Sequence, residues 1–200
     1  MRSPRVELRL PTEGEIVELA HVAEQGVHPP EQMPFFFPWT DGIGKPGFVD
    51  HFVEHHRAHR REWSPASWRL NLAVFLDGKP MGSQSVRADD FARSRVVDTG
   101  SWLGRRYQRQ GYGTEMRGAV LGFAFEGLGA EAATSGYLEG NVASAKVSAR
   151  YGYEPDGEGV VSPRGMPVRE IKLRLERERW QPPFPVEIDG LEPCLPLFGL

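Results

Sequence analysis

Hydrophobic positions in the first half of the chain repeat with two periods. Alternation over residues 6–10 predicts a strand, and the apolar spacing that follows Thr12 predicts a capped amphipathic helix. Residues 47–63 repeat aromatic and aliphatic side chains at helical spacing, which predicts a second helix. Two apolar runs flank Asp77-Gly78-Lys79, and Asp-Gly in that setting predicts a β-hairpin because glycine accepts positive φ.

The second half continues the alternation of strands and helices. Residues 96–103 predict a strand, and a long helix is expected to begin at 111–114 and to end near Gly127 and Gly129. Residues 130–137 predict a strand, and Asn141 is placed to cap a helix that runs to about Tyr151. A late strand is expected over 170–175. The order of elements predicts an α/β fold.

Two segments resist regular structure. Residues 26–47 combine five prolines with a cluster of aromatic side chains, so we expect a loop that packs on the core or over a cleft. Residues 179–200 are rich in proline and apolar side chains and contain no lysine or arginine after Arg179. We therefore expect one folded domain over 1–178 and an extended arm over 179–200 that covers a surface or mediates a homodimer.

Composition narrows the class of protein. With 200 residues, 40% of them hydrophobic, the chain can bury a sizeable core. A net charge of -3 with interspersed signs argues against nucleic-acid binding. Cys194 is the one cysteine, and no apolar run has membrane-spanning length, so we expect a cytoplasmic protein that binds no membrane.

The segment 103–114 carries the clearest chemical signal. An apolar strand passes through a polar, glycine-containing turn into a long helix, where free N–H groups and the helix dipole favour an anion such as phosphate. The segment lacks the Gly-Lys-Ser/Thr of a P-loop. The third glycine of a dinucleotide fingerprint would fall at Met116, so neither nucleotide fold is predicted.

Two motifs in order make the chain resemble the GCN5-related N-acetyltransferase (GNAT) superfamily. Gln108-Arg109-Gln110-Gly111-Tyr112-Gly113 matches its Gln/Arg-x-x-Gly-x-Gly/Ala hallmark. Asn141-Val142-Ala143-Ser144, followed by Arg150-Tyr151-Gly152-Tyr153, is similar to its Asn-x-x-Ser helix and Gly-aromatic strand start. The segment 34–41 and the Asn-x-x-Ser helix resemble most the branch that contains ribosomal-protein-alanine acetyltransferases. The resemblance covers roughly residues 5–176.

The resemblance implies a fold and a co-substrate. The fold is α/β with a mixed, mostly antiparallel sheet that is splayed between two parallel strands, 96–103 and 131–137, and flanked by helices. The co-substrate is acetyl-CoA or another acyl-CoA, bound in the splay without a metal. The residues expected to contact it are Trp102, Leu103, Gln108, Arg109, Gln110, Gly111, Tyr112, Gly113, Thr114, Asn141, Ser144 and Lys146.

The implied reaction is direct attack of a primary amine on the thioester in a ternary complex. Asp98 stands where many relatives carry a glutamate, so it is the expected base, acting through water. Many relatives carry a tyrosine acid seven positions after the asparagine, but Ser148 stands there in this chain. Ser148 is thus a weak acid candidate, with Tyr137 or Tyr151 as substitutes.

The acceptor is expected to be a small-molecule amine or a protein N-terminal amine. Its side of the cleft would be lined by Phe36, Trp39, His51, His55 and Tyr137. Larger donors such as succinyl-CoA stay open, as does a non-catalytic CoA-binding sensor. His51-Phe52-Val53-Glu54-His55 also spells the His-x-x-Glu-His of inverted zinc peptidases, which is the competing interpretation.

Overall fold

A computed structural model describes all 200 residues of the chain. It contains seven strands and five α-helices, in the order β1 (Glu7–Arg9), α1 (Glu13–Glu24), α2 (Phe48–Arg61), β2 (Ser67–Leu76), β3 (Lys79–Asp89), α3 (Phe91–Ser94), β4 (Val96–Leu103), α4 (Tyr112–Gly122), β5 (Ala132–Leu138), α5 (Val142–Arg150), β6 (Glu154–Val161) and β7 (Val168–Glu176). None of the helices has the length and apolar character needed to cross a membrane.

The strands form one mixed sheet in the order β1-β2-β3-β4-β5-β7-β6. All neighbours are antiparallel except β4 and β5, which run parallel. That pair is joined over three rungs only, from Val96 with Ala132 to Asp98 with Thr134. Beyond this point the two strands separate, so the predicted splayed sheet is confirmed.

Local chemistry accounts for the first elements. Thr12 and Glu15 form a reciprocal capping box at the start of α1. Asp77 and Gly78 both take positive φ, 49° and 74°, and connect β2 to β3 as a tight hairpin. Both predictions are confirmed, since each rests on a few adjacent residues.

Helix α4 is buried around its whole circumference, from Glu115 to Gly122. One face packs on the sheet, and the arm covers another. A Cβ at Gly118 would lie 2.9 Å from Phe184 Cζ, and one at Gly122 would lie 3.1 Å from Val186 Cγ2. The small residues therefore form a groove that the apolar side chains of the arm fill.

Three details differ from the sequence-based predictions. The arm is not simply extended, because Glu192–Phe198 forms a 3-10 helix that buries Phe198 against the core. The predicted long helix ends as α4 at Gly122 and continues as a π-helical turn over Phe123–Gly127. The hydrophobic pattern did not predict strand β6, although the family resemblance implies a strand that starts at Gly152-Tyr153. Its mostly exposed glycine- and acid-rich sequence carries no strand pattern, and its pairing with β7 supplies the strand instead.

Candidate active site

The site lies where β4 and β5 separate. Thr99 and Ser135 occupy the first rung beyond the last backbone pair, and their side chains bridge the widening gap. Thr99 Oγ1 donates to Thr134 O at 3.2 Å, and Ser135 Oγ donates to Thr99 O at 3.3 Å. We call this rung the fork. Beyond it, the facing backbone edges of β4 and β5 are free to bond a ligand.

The loop between β4 and α4 carries a run of unused backbone donors. The first helical N–H with a backbone acceptor is that of Glu115, which donates to Gly111 O at 3.0 Å, whereas the N–H groups of residues 109–114 have none. Arg109 and Gly111 adopt positive φ, 60° and 85°, which curves the chain around these donors. The geometry suits an anion at the start of α4.

Gln108 and Arg5 stabilise the conformation of this loop through hydrogen bonds to backbone oxygens. Gln108 Nε2 donates to Val27 O at 2.7 Å and to Leu103 O at 2.8 Å, so the glutamine faces the protein rather than the open side of the loop. The guanidinium of Arg5 donates to Gln110 O at 3.1 Å and lies 4.7 Å from the ring centre of Tyr112. Arg5 also forms an ion pair with buried Glu115.

Helix α5 closes the other side of the cleft. Asn141 caps it, with its side-chain oxygen accepting from Ser144 N at 3.2 Å, and its amide donates to Pro34 O at 3.3 Å. Lys146 is exposed and Ser144 half-buried. Ser148 is 1% exposed, and its hydroxyl has no hydrogen-bond partner. Asn141, Ser144 and Lys146 thus lie at the start and in the first turns of α5, with Asn141 engaged as its cap, and their contact with CoA stays a prediction.

Two tyrosines stand behind α5. Tyr151 donates its hydroxyl to Thr114 O at 2.7 Å, and burial raises its pKa to about 12. Burial also raises the pKa of Tyr153, whose hydroxyl lies 3.5 Å from Thr99 Oγ1. Tyr151 is therefore a poor proton donor for a leaving group. Tyr137 lies elsewhere, in a surface depression near the C-terminal end of β5 that Asn141 and Arg169 also line.

The opposite face of the sheet carries an aromatic wall. Trp102 packs against Trp39 with ring centres 5.3 Å apart and against Phe52 at 6.2 Å. Phe36 crosses from the 26–47 loop to β5, where a Cβ at Gly136 would lie 3.2 Å from its Cζ. The loop thus covers both separated strands, as expected for a segment packed over a cleft.

Asp98 is on this same face, at the last paired rung. Its Oδ1 accepts from Arg87 Nε at 2.8 Å, and its Oδ2 accepts from Thr134 Oγ1 at 3.1 Å. The side chain is 37% exposed, so water reaches it. A carboxylate has about four lone-pair positions, so two contacts leave acceptor capacity for a water or an amine.

The histidines of α2 do not converge on one point. His51 turns back on its own helix, with Nδ1 2.7 Å from Gly47 O, and Glu54 pairs with Arg61. His55 stacks edge-on against His59 at 4.2 Å, and desolvation with the nearby Arg69 lowers its pKa. No group of three or more His, Cys, Asp or Glu is arranged to hold a metal ion. His51 and His55 were predicted to line the acceptor side, but neither ring packs on Trp39 or Trp102. The α2 side chain that packs on both tryptophans is Phe52.

Taken together, one end of the cleft offers free backbone N–H groups and the inner end offers buried polar side-chain atoms. The free N–H groups at 109–114 suit a phosphate, and the unpartnered buried atoms Ser148 Oγ and Arg117 Nε mark polar capacity that the protein does not use itself. A long ligand with a phosphate at one end and a polar reacting group at the other fits these residues.

Comparisons with known proteins agree with this geometry. The family model described as "Acetyltransferase (GNAT) domain" matches residues 5–154. Among solved structures, ribosomal-protein-S5-alanine acetyltransferase from Vibrio fischeri aligns with a TM-score of 0.64 at 17% identity, over 91% of this chain and 98% of that chain. RimJ of Mycobacterium smegmatis in complex with CoA-disulfide aligns at 0.68 and 16%, over 86% and 82%.

A third structure, a ribosomal L7/L12 alpha-N-protein acetyltransferase in complex with coenzyme A, aligns at 0.65 and 16%, over 87% and 95%. At these identities the three structures establish a shared fold.

Sequence reasoning missed two residues of the site. Arg5 reaches the loop from more than a hundred residues away in the chain, and no local pattern reports such a contact. Arg117 has a local signal, because it is a basic residue between apolar Met116 and the apolar run 118–122.

Proposed function

We propose that the acceptor of this chain is a protein N-terminal amine. The chain belongs to the GNAT acetyltransferase family and is an N-acetyltransferase that uses CoA. Acetyl-CoA is the proposed donor. A cytoplasmic location, a homodimer and a domain boundary at residue 178 stay predictions.

The observation that carries the donor side is the run of free N–H groups at 109–114. These groups would hold the pyrophosphate of CoA, and the free edges of Trp102 and Leu103 would bond the amides of pantetheine. The thioester would then lie at the fork. Arg5 supports the loop through Nη1, which donates to Gln110 O, and through Nε, which donates to Glu115.

The acceptor side rests on the aromatic wall and on Asp98. The 26–47 loop spans the two separated strands, so an extended peptide would enter beside Phe36 and Trp39 with its amine directed at the fork. Asp98, which shares this face, would take the ammonium proton through a water before attack. Two of the structurally similar enzymes are named for acetylation of a ribosomal protein, which supports a peptide acceptor over a small amine.

A donor-by-acceptor screen that follows free thiol release tests this proposal. We expect turnover with acetyl-CoA and peptides that carry a free N-terminus, and none with the same peptides after N-terminal blocking. Turnover that persists with blocked peptides would contradict an N-terminal acceptor. A preference for succinyl-CoA would contradict the proposed donor.

The role of Asp98 is tested by Asp98→Asn. Loss of a general base lowers kcat by about 10²-fold or more, with acyl-CoA affinity retained. The matched control is Asp89→Asn, which changes an exposed carboxylate on β3 that bonds Ser67. If Asp98→Asn keeps the parent's rate and its low-pH limb, bound water alone removes the proton.

A further inference from the structure

Arg117 is the one arginine or lysine that is buried in this protein, at 3% exposed. Taking a guanidinium out of water costs several kcal/mol unless an anion or several hydrogen bonds compensate it. Its guanidinium donates from Nη1 to Ser135 Oγ at 3.2 Å and lies within hydrogen-bonding reach of the Tyr153 hydroxyl, whereas Nε has no partner.

Glu115, two residues earlier on α4, makes the contrast clear. This carboxylate is also buried, but it accepts from Ser3 Oγ, Arg5 N and Arg5 Nε at 2.8, 2.7 and 2.6 Å. A buried charge that serves the fold is thus fully paired here. Arg117 makes no ion pair, although the same helix shows that the fold can provide one.

The tyrosines nearby do not provide the missing anion. Burial raises the pKa of both Tyr151 and Tyr153, so both hydroxyls stay protonated at neutral pH. The charge of Arg117 therefore has no anionic partner within the chain, and a ligand would have to supply one.

The position of Arg117 fits the inner end of the cleft. Gly113 lies beside Leu103, with its Cβ position 3.7 Å from Leu103 Cδ1, near the outer end of the cleft. Arg117 is one turn further along α4, about 6 Å. There it contacts Ser135, which bonds Thr99 across the fork. Arg117 is thus level with the fork, while the anion-binding loop lies one to two turns away.

The two faces of the sheet then differ at the fork. Successive residues of a strand point to opposite faces, so Asp98 faces the aromatic wall whereas Thr99 faces α4. Attack and departure of the leaving group would occur from different faces, with Arg117 on the face of the leaving group.

We propose that Arg117 is a catalytic residue that stabilises the CoA thiolate as it leaves, in place of the tyrosine that Ser148 replaces in this chain. The inference rests on the proposed function. In this step the amine nitrogen forms a bond to the acyl carbon, and the C–S bond breaks with its electron pair passing to sulfur. The amine proton passes through water to Asp98, and the thiolate is paired with Arg117 until solvent protonates it.

The direct test is the thiol pKa of bound CoA, followed by the ultraviolet absorbance of the thiolate in the CoA complex. A free thiol has a pKa near 8.5. We expect bound CoA in the parent protein to titrate at least one unit lower. A bound thiol that titrates at its ordinary value in the parent overturns the proposal without any variant.

Variants separate a chemical role from a structural one. Arg117→Met should raise the bound thiol pKa to its ordinary value or above and lower kcat by on the order of 10²-fold. Arg117→Lys, which keeps the charge, should recover part of both. Arg93→Met, on exposed α3, is the control and should change neither.

Each remaining outcome has a defined meaning. Unchanged thiol pKa in a folded Arg117→Met variant makes Arg117 structural and overturns the proposal. A loss confined to succinyl-CoA makes it a carboxylate-binding group and also overturns it. Absence of CoA binding in the parent, by calorimetry, overturns this inference and the proposed function together, whereas CoA binding with an ordinary thiol pKa overturns the inference alone.

Discussion

The two sides of α4 have opposite chemistry. Against the arm, Gly118 and Gly122, together with Gly127 in the π-helical turn that follows, admit Phe184, Val186 and Leu191 at close range, so the contact is apolar and closely packed. Against the cleft, the same helix offers free N–H groups at its start and an under-bonded guanidinium at Arg117. One helix therefore carries both a completed interface and an incomplete one.

The difference indicates that one side of α4 contributes to stability and the other side to ligand binding. In a close-packed interface, adding or removing atoms lowers the free energy of unfolding, because the space between the side chains is already filled. Buried polar groups without a hydrogen-bond partner lower stability. Such groups are therefore expected where a bound ligand supplies the missing partner. Substitutions on the arm side should then change stability, and substitutions on the cleft side should change ligand binding.

The largest expected effect lies on the arm side, at Phe198. Its ring is 5% exposed and packs against Trp63, Trp68 and Phe123 at 5.4, 4.9 and 5.8 Å between centres. Phe198→Ala should lower the free energy of unfolding by about 3–5 kcal/mol. The neighbouring Leu197 is 52% exposed, and Leu197→Ala should change it by about 0.5 kcal/mol or less. Urea unfolding of both variants decides, and equal losses would show that the arm is not specifically docked.

A smaller loss is expected at the glycine groove. A Cβ at Gly118 would lie 2.5 Å from Tyr151 Oη, so Gly118→Ala should cost about 1–3 kcal/mol of unfolding free energy through overpacking. Gly14 in α1 has no atom within 4 Å of its Cβ position, and Gly14→Ala should instead stabilise by about 0.5–1 kcal/mol. Thermal unfolding of the pair measures this, and destabilisation by both would remove the groove as the explanation.

The matching test on the cleft side is Gly111. Asp and Asn have the same shape and both tolerate positive φ, so Gly111→Asp and Gly111→Asn impose similar strain. The aspartate adds a negative charge where the pyrophosphate would bind, and it should weaken CoA binding at least tenfold more than the asparagine does, about 1.4 kcal/mol. Calorimetry with CoA measures the difference. Equal affinities would place the phosphate elsewhere.

The smallest effect at neutral pH involves neither side of α4. Burial, with His55, Arg60 and His59 nearby, lowers the pKa of His56 to about 4. The unfolded chain therefore binds a proton at higher pH than the folded one does, and stability falls as pH decreases from about 6.5 toward 4. His56→Phe, beside Phe52, should flatten this slope, whereas exposed His51→Phe should not. Urea unfolding across that pH range checks both.

Sequence predicted the parts of the site that lie in contiguous segments. The turn at 108–113 and the Asp-Gly hairpin each depend on adjacent residues with fixed backbone demands, and the backbone of both was predicted correctly. Contact of this turn with CoA stays a prediction. The fork gathers Thr99, Arg117 and Ser135 from three separate elements, so no local spacing reveals it. The arm's apolar side chains predicted that it covers a surface, but only the structure identifies the glycines of α4 as its docking groove.

The docking of the arm also has a consequence for folding kinetics. Trp63 Nε1 donates to Leu197 O at 2.9 Å across a sequence separation of 134 residues. Contacts between residues so far apart in sequence form late, because the chain loses conformational entropy on closing a long loop before packing can stabilise the closed state. During synthesis, Trp63 and Trp68 emerge well before Phe198 exists and leave an apolar site without its last ring. We expect the final folding step to be the docking of this arm, with unfolding beginning at the same place.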